Sequence, residues 1–317
     1  MPSVLTITMN PSVDKTISVP AMMPDRKMHS SAPSFQPGGG GINVARGISR
    51  LGGEVVAIYP VGGYHGKLLT DLLKEEKVTV MPIEMKTQTR EGWVVDDISQ
   101  NKQYRFVMPG AALTESIWNE CLEEVESAEG VSFVVFSGSV PGPVRPDFFS
   151  DLLKISNRKG ARLVVDSSGE ALIQAVRNGV YLIKPSINEM GILVKGLELK
   201  NKSLPESGQE IIGLGLCEVI IVSMGHEGAM LITKDLELKI PAPQVKKMST
   251  VGAGDSMVAG IIHSLLNKKG LEEAFKFGVA CGSAATMNQG TSLFKPADVE
   301  ELLRMIHKES PQYCNNA

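Results

Sequence analysis

Apolar residues along the chain follow two rhythms, and for most of its length the two take turns. VLTITM (4–9), EVVAIYPV (54–61), VSFVVFSG (131–138), ARLVVD (161–166), VYLIKP (180–185) and EVIIVSMG (218–225) are short and rich in β-branched residues. Several are apolar on both faces, the pattern of parallel strands covered by helices on either side. Between and after them, helical patterning predicts helices over 43–51, 66–76, 114–126, 145–158, 168–178, 203–214, 255–268, 271–287 and 296–307. Alternation of this kind builds βαβ units with right-handed crossovers, hence an α/β fold with a doubly wound, mostly parallel sheet and helices on both faces.

Two segments break the rhythm. Residues 14–35 and 86–108 are polar and alternating (TISVP, REGWVVDD, KQYRFV), with no helix between the strand-like runs of the second. They predict a small antiparallel sheet projecting as a lid from a core made of 1–13, 36–85 and 109–317. Ile17, Val19, Trp93 and Val94 would leave one face of such a sheet apolar and uncovered, so a homodimer joined lid to lid is expected. The end of the chain, QYCNNA (312–317), is expected to fray.

Composition narrows the class. The 317 residues are 43% hydrophobic and 21% charged, ordinary for a folded protein with a large core. A net charge of −3 argues against wholesale binding to nucleic acid. Cys121, Cys217, Cys281 and Cys314 form no CxxC pair, and the five histidines show no HxxxH spacing. Neither a disulfide framework nor an intrinsic zinc site is expected. The N-terminal MPSVLTITMNPSVDK opens as a strand, and no apolar run approaches the roughly 20 residues that span a bilayer. The reading is a cytoplasmic protein with no membrane partner.

The chemistry concentrates in STVGAGDSM (249–257). Behind it Met257, Val258, Ile261, Ile262, Leu265 and Leu266 form a helical stripe, so Gly252, Ala253 and Gly254 bring bare backbone N–H groups to the positive end of a helix. Asp255 stands at the same place as a proton acceptor, which is the pairing a phosphoryl transfer to a hydroxyl requires. An aspartate there also serves as a plain N-cap, and a lone G-A-G-D leaves both readings open. PGGGGINVARGISRLGG (37–53) is either a flexible loop or a surface where a ligand lies directly on the backbone. Asn43, with a donor and an acceptor, suits sugar hydroxyls, as does Asp14 after the first strand. Lys27, Arg90 and Arg105 put cations suited to a phosphate in the two lid segments.

GGGGINVAR, RFVMPGAAL (105–113), SGSVP (137–141), VVDSSGEAL (164–172) and STVGAGDSM occur in an order that resembles the PfkB family of carbohydrate kinases, with the ribokinase-like fold, across essentially the whole chain. YRFVMPGAAL, DSSGEAL and GSAATMNQGT (282–291) resemble the branch that acts on fructose 6-phosphate. The resemblance implies transfer from ATP, with Mg, to the 1-hydroxyl of that sugar, giving fructose 1,6-bisphosphate. It makes Asp255 the base and the amides of Gly252, Ala253 and Gly254 the anion hole. It puts Asp14, Gly38, Gly39, Asn43 and Ser139 on the sugar, and Arg90, Arg105 and Lys27 on its 6-phosphate. Lys184, Ser223, Gly225 and Gly228 fall in the stretches lining a nucleotide groove, with Asn288 near the adenine side. Ser249, Val251, Ala285, Asn288 and Gly290 match positions that bind K+, mostly through backbone carbonyls.

This sequence departs from the family in two places. In KPSINEMG, Glu189 takes the position of a glutamate that places Mg through water, but Ser186 stands where the family has asparagine. His29 stands where close relatives carry arginine. Within the kinase class, tagatose 6-phosphate and fructose 1-phosphate stay open as substrates, whereas Arg90 and Arg105 argue against a nucleoside or an unphosphorylated sugar. A non-catalytic sugar-phosphate sensor usually lacks the base, which is intact here. A nicotinamide oxidoreductase would need G-x-G-x-x-G after the first strand, where TMNPSVD stands.

Overall fold

A computed structural model describes residues 4–200, 202–308 and 312–313. Its main sheet has ten strands, in spatial order Thr79–Glu84, Val55–Val61, Val4–Ile7, Phe133–Ser137, Arg162–Asp166, Val180–Ile183, Cys217–Ser223, Ala229–Ile232, Glu237–Ile240 and Gln312–Tyr313. Neighbours are parallel from the first of these to Cys217–Ser223, and antiparallel beyond it. The alternation in the strands splits the core in two. Val4, Phe133 and Val135 point to a layer built with the helices Gly40–Arg50, Ala253–Leu266 and Leu271–Thr286. Leu5, Val134 and Phe136 point to the opposite layer, with Glu115–Ser127, Phe148–Arg158 and Gly169–Asn178. This is the ribokinase-like α/β architecture.

All six predicted strands and all nine predicted helices form, with ends shifted by a few residues. The helix Ile187–Gly196 and the strands Thr79–Glu84, Ala229–Ile232 and Glu237–Ile240 were not expected. Gln312–Tyr313, expected to fray, is a strand paired with Leu238 and Lys239; residues 314–317, Cys314 among them, lie outside the described residues. Cys121, Cys217 and Cys281 are free and buried, and burial pushes the first two thiols up to about 12.

The second sheet has the order Ser34–Gly38, Ser12–Val19, Arg90–Asp97, Lys102–Val107. It is mixed rather than antiparallel: its two central strands run parallel, with Ser12 opposite Arg90 and Val19 opposite Asp97. The chain leaves after Ser34–Gly38 and returns by way of the main sheet before Arg90, so no hairpin joins the central pair. The apolar residues expected to be uncovered are only partly so. Val19 and Val94 are buried within the chain, while Phe35, Phe106 and Val107 are exposed. Among the described residues, no helix is long and apolar enough to cross a membrane.

Candidate active site

Two cavities open beside the C-terminal ends of the parallel strands, where ligands of open α/β sheets bind. The smaller, about 260 Å³, is polar and lies under the second sheet; Asp14, Gly39, Asn43, Arg90, Arg105 and Asp255 line it. The larger, about 510 Å³, runs from Ser223, Gly225 and Gly228 past Val245 and Lys247 to Thr286. They share one wall, the turn 251–255: Gly252 and Asp255 face the smaller cavity, Ala253 and Gly254 the larger.

That wall is the start of the helix Ala253–Leu266. Gly252 is its N-cap, at φ +74°, and a Cβ there would lie 2.6 Å from Leu293 Cδ2, so glycine is needed for both conformation and space. Asp255 is the third helical residue, which excludes the N-cap reading. Its Oδ2 instead accepts a hydrogen bond from Asn43 Nδ2 at 2.9 Å. Burial, reinforced by the Asp166 carboxylate, raises the Asp255 carboxyl to about 7, against the Asn43 bond and the cations Lys184 and Arg46. A carboxyl so placed can take up or release a proton near neutral pH. The Lys184 ammonium lies 3.1 Å from Asp166 Oδ1. Burial opposes its charge, but Asp166, with Asp255 and Glu189, more than offsets this and raises its pKa. A Cβ on Gly254 would come within 3.1 Å of that ammonium, so the fixed cation lies directly beneath the helix mouth.

In the smaller cavity, Ser12 Oγ donates to Asp14 Oδ1 at 2.7 Å. A Cβ on Gly38 would fall 2.5 Å from that carboxylate, so Gly38 makes room for Asp14 rather than lining the cavity itself. Arg90 donates from Nε to Asn10 Oδ1 at 2.8 Å and from Nη2 to Asn10 O at 3.0 Å. Asn10 Nδ2 in turn donates to Ser139 Oγ at 3.0 Å, so Ser139 is tied to Arg90 through a residue the sequence reading passed over. Arg105 is at the exposed rim. Lys27 and His29 lie on the exposed segment between Ser12–Val19 and Ser34–Gly38, away from the cavity.

On the other side, Ser223, Gly225 and Gly228 line the larger cleft, whereas Asn288 does not: its Nδ2 donates to Ala284 O at 3.1 Å. Glu189 and Ser186 form a capping box at the start of Ile187–Gly196. Ser186 N donates to Glu189 Oε2 at 2.7 Å, and Glu189 N to Ser186 Oγ at 3.3 Å. Among the described residues no group of three or more His, Cys, Asp or Glu side chains is placed to hold a metal. The donors fit an Mg ion carried mainly by a triphosphate. The segment with Ser249 and Val251 lies against the end of Leu271–Thr286, Met248 N and Ser249 N both donating to Thr286 O. Ala285 is in the last turn of that helix and Asn288 and Gly290 follow it, at the negative end of the helix dipole.

Asp166, Asn10 and Arg46 were missed. Asp166 closes a predicted strand at its ligand end, and Arg46 is the one charged residue in the buried stretch Gly41–Ile48; both are visible signals.

This site lies on a fold shared with carbohydrate kinases. A model of the pfkB family carbohydrate kinases matches residues 7–298. The ATP-dependent 6-phosphofructokinase isozyme 2 of Escherichia coli (strain K12) is 41% identical over 309 residues, 97% of this chain and 100% of that one. Crystal structures of Escherichia coli phosphofructokinase-2, one in complex with potassium and one with fructose-6-phosphate, match with TM-scores of 0.89 and 0.88. Their identities are 40% and 38%, and each pairing covers 97% of this chain and 100% of the other. A 1-phosphofructokinase of Bacillus subtilis, at 32%, and a tagatose-6-phosphate kinase of Staphylococcus epidermidis, at 29%, are more distant. The chain belongs to the PfkB family of carbohydrate kinases.

Proposed function

We propose that this protein is an ATP-dependent sugar-phosphate kinase that phosphorylates the 1-hydroxyl of fructose 6-phosphate, giving fructose 1,6-bisphosphate and ADP. The observation that carries the reading is the shared wall. A base on one side of the turn 251–255 and helix-mouth amides on the other bring acceptor and donor substrates together at a single point.

ATP lies in the larger cleft with its triphosphate toward Ala253 and Gly254, and the sugar lies in the smaller one. Asp14 and Asn43 hold hydroxyls. Arg90 and Arg105 receive the 6-phosphate, and Lys27, away from the cavity, takes no part in this chain's site. Asp255 takes the proton of the 1-hydroxyl as that oxygen bonds to the γ-phosphorus; the bond from phosphorus to the β,γ-bridging oxygen breaks and ADP leaves. The amides of Gly252, Ala253 and Gly254, with Lys184 beneath them, meet the charge on the transferred group. Mg, when bound, would offset charge on the phosphates, with Glu189 placed to order its waters, and the carbonyls around Ser249, Val251, Ala285, Asn288 and Gly290 would hold K+. The second sheet acts as a lid that excludes water, and two chains pair through it as a homodimer.

A coupled assay of ADP release against fructose 6-phosphate, tagatose 6-phosphate, fructose 1-phosphate and ribose, with and without potassium, tests the assignment. The highest kcat/KM is expected for fructose 6-phosphate; a higher value for another sugar reassigns the substrate.

A further inference from the structure

Arg46 is 1% exposed, a whole guanidinium inside the molecule, and nothing in the proposed chemistry uses it. Its donors reach four separate pieces of chain. Nε and Nη2 face the Glu76 carboxylate, at 3.0 and 2.6 Å from Oε1. Nη1 is shared among Pro37 O, Asn43 Oδ1 and Thr291 O, each at 3.0 Å. Pro37 leads into the glycine run. Thr291 is itself gripped from the other side, its N–H and Oγ1 both donating to Gln36 Oε1, at 2.9 and 2.8 Å.

An ion pair with Glu76 alone would not need this position, because Glu76 is a quarter exposed and Arg50 also reaches it. What the buried position adds is the bond to Asn43. A side-chain amide has one accepting end and one donating end, and a guanidinium has no acceptor at all. Oδ1 of Asn43 must therefore face Arg46, and Nδ2 is left for Asp255. With any lesser partner at position 46 the amide is free to turn over and offer its oxygen to the carboxylate, a contact possible only if Asp255 keeps a proton.

We infer that Arg46 is a positioning residue for the phosphoryl transfer, holding the Asn43 amide one way round so that it donates to Asp255 and favours the ionised carboxylate. The inference rests on Asp255 being the base. Asp166 and Lys184 face Asp255 from the strand ends and Arg46 from the first helix, while Asp14, Arg90 and Arg105 line the same cavity from the second sheet. Arg46→Lys leaves all of those charges in place but has a single head where the guanidinium has two ends, so an ammonium seated on Glu76 no longer reaches Asn43 Oδ1, nor Pro37 O and Thr291 O.

In Arg46→Lys the acid limb of kcat moves up by about one pH unit, the weight of one hydrogen bond to a charged group, so that kcat falls about fivefold at pH 7 and recovers in alkali. A kcat lowered by one factor at every pH, with the limb unmoved, means Arg46 only packs and overturns the inference. A second measurement needs no variant. In the unliganded wild type, the side-chain amide proton resonances of Asn43 should follow the ionisation of Asp255 through pH 7, and should stay flat in Asp255→Asn. Flat wild-type resonances overturn the inference even where Arg46→Lys does not fold. If instead Asp255→Asn keeps its turnover, the base reading fails, while the resonances still report the orientation.

Discussion

The turn 251–255 and the second sheet bound the same cavity but are built to different standards. At the turn everything is closed within one chain: Asp255 on Asn43, Asn43 on Arg46, Lys184 on Asp166, each at hydrogen-bond distance and each little exposed. On the second sheet Arg105 is at an open rim, Lys27 is on an exposed segment, and Phe106 and Val107 are 45% and 71% exposed. On the proposed reading the turn is preorganised for the chemistry, whereas the grip on a sugar phosphate would depend on what covers the sheet. Breaking the turn should cost kcat, and breaking the sheet should cost KM.

The largest effect is at the turn. Asp255→Asn should lower kcat by about a thousandfold, with KM for the sugar phosphate within a few-fold of wild type. Turnover near that of wild type would mean another group takes the proton. The same substitution carries a stability signature. The folded carboxyl is raised to about 7, above its unfolded value, so the proton it binds stabilises the fold fully below the unfolded pKa, and that contribution is lost as pH rises through 7. The unliganded wild type should therefore lose melting temperature relative to Asp255→Asn between pH 5.5 and 8, by about 3 °C. Parallel curves from differential scanning calorimetry would contradict this.

On the sheet, Arg90→Met should raise KM for the sugar phosphate by about a hundredfold and lower kcat by much less, since a guanidinium fork on a phosphate is lost while the base stays in place. An equal fall in kcat and kcat/KM would move Arg90 into the transition state and blur the division between the two regions. Phe35→Asp tests the other half of the contrast. Phe35 is on the edge strand Ser34–Gly38, outside the cavity and 38% exposed. If a second chain covers that face, light scattering at micromolar concentration should find a dimer in the wild type and a shift to monomer in the variant; a monomeric wild type refutes pairing.

How much of this could be read from the chain follows the same division. FVVFS is buried throughout and RLVVD over Leu163–Val165, and the apolar runs inside them declare both strands. Thr79–Glu84 contains Pro82 and is mostly exposed or half-buried, so its pattern was too weak to see. The parallel centre of the second sheet was illegible for a different reason, because its partners are separated by two strands and two helices of the main domain. In the site, the glycine motifs and Asp255 stand out by composition. Arg46 and Asp166 are visible as charges in apolar surroundings, but their partners Glu76, Thr291 and Lys184 come from other segments, and only the fold brings those within reach. Ile187–Gly196 was within reach: Ser186 and Glu189 spell a capping box ahead of Met190, Leu193 and Val194. Glu189 thus has a local role in the helix start beside the metal-placing one that the resemblance implies.

That double role gives the smallest and sharpest test. Ser186 caps Ile187–Gly196 with its hydroxyl, and asparagine caps a helix about as well. Ser186→Asn should leave the melting temperature nearly unchanged, whereas Ser186→Ala removes the cap and costs about 1 kcal/mol. With the helix unaltered, any change in Ser186→Asn must come from the extra amide arm beside Glu189. If that arm helps order water around the nucleotide's metal, the Mg concentration for half-maximal activity should fall a few-fold at saturating ATP. An unchanged Mg curve in a variant of unchanged stability would mean that the side chain at 186 serves only the helix.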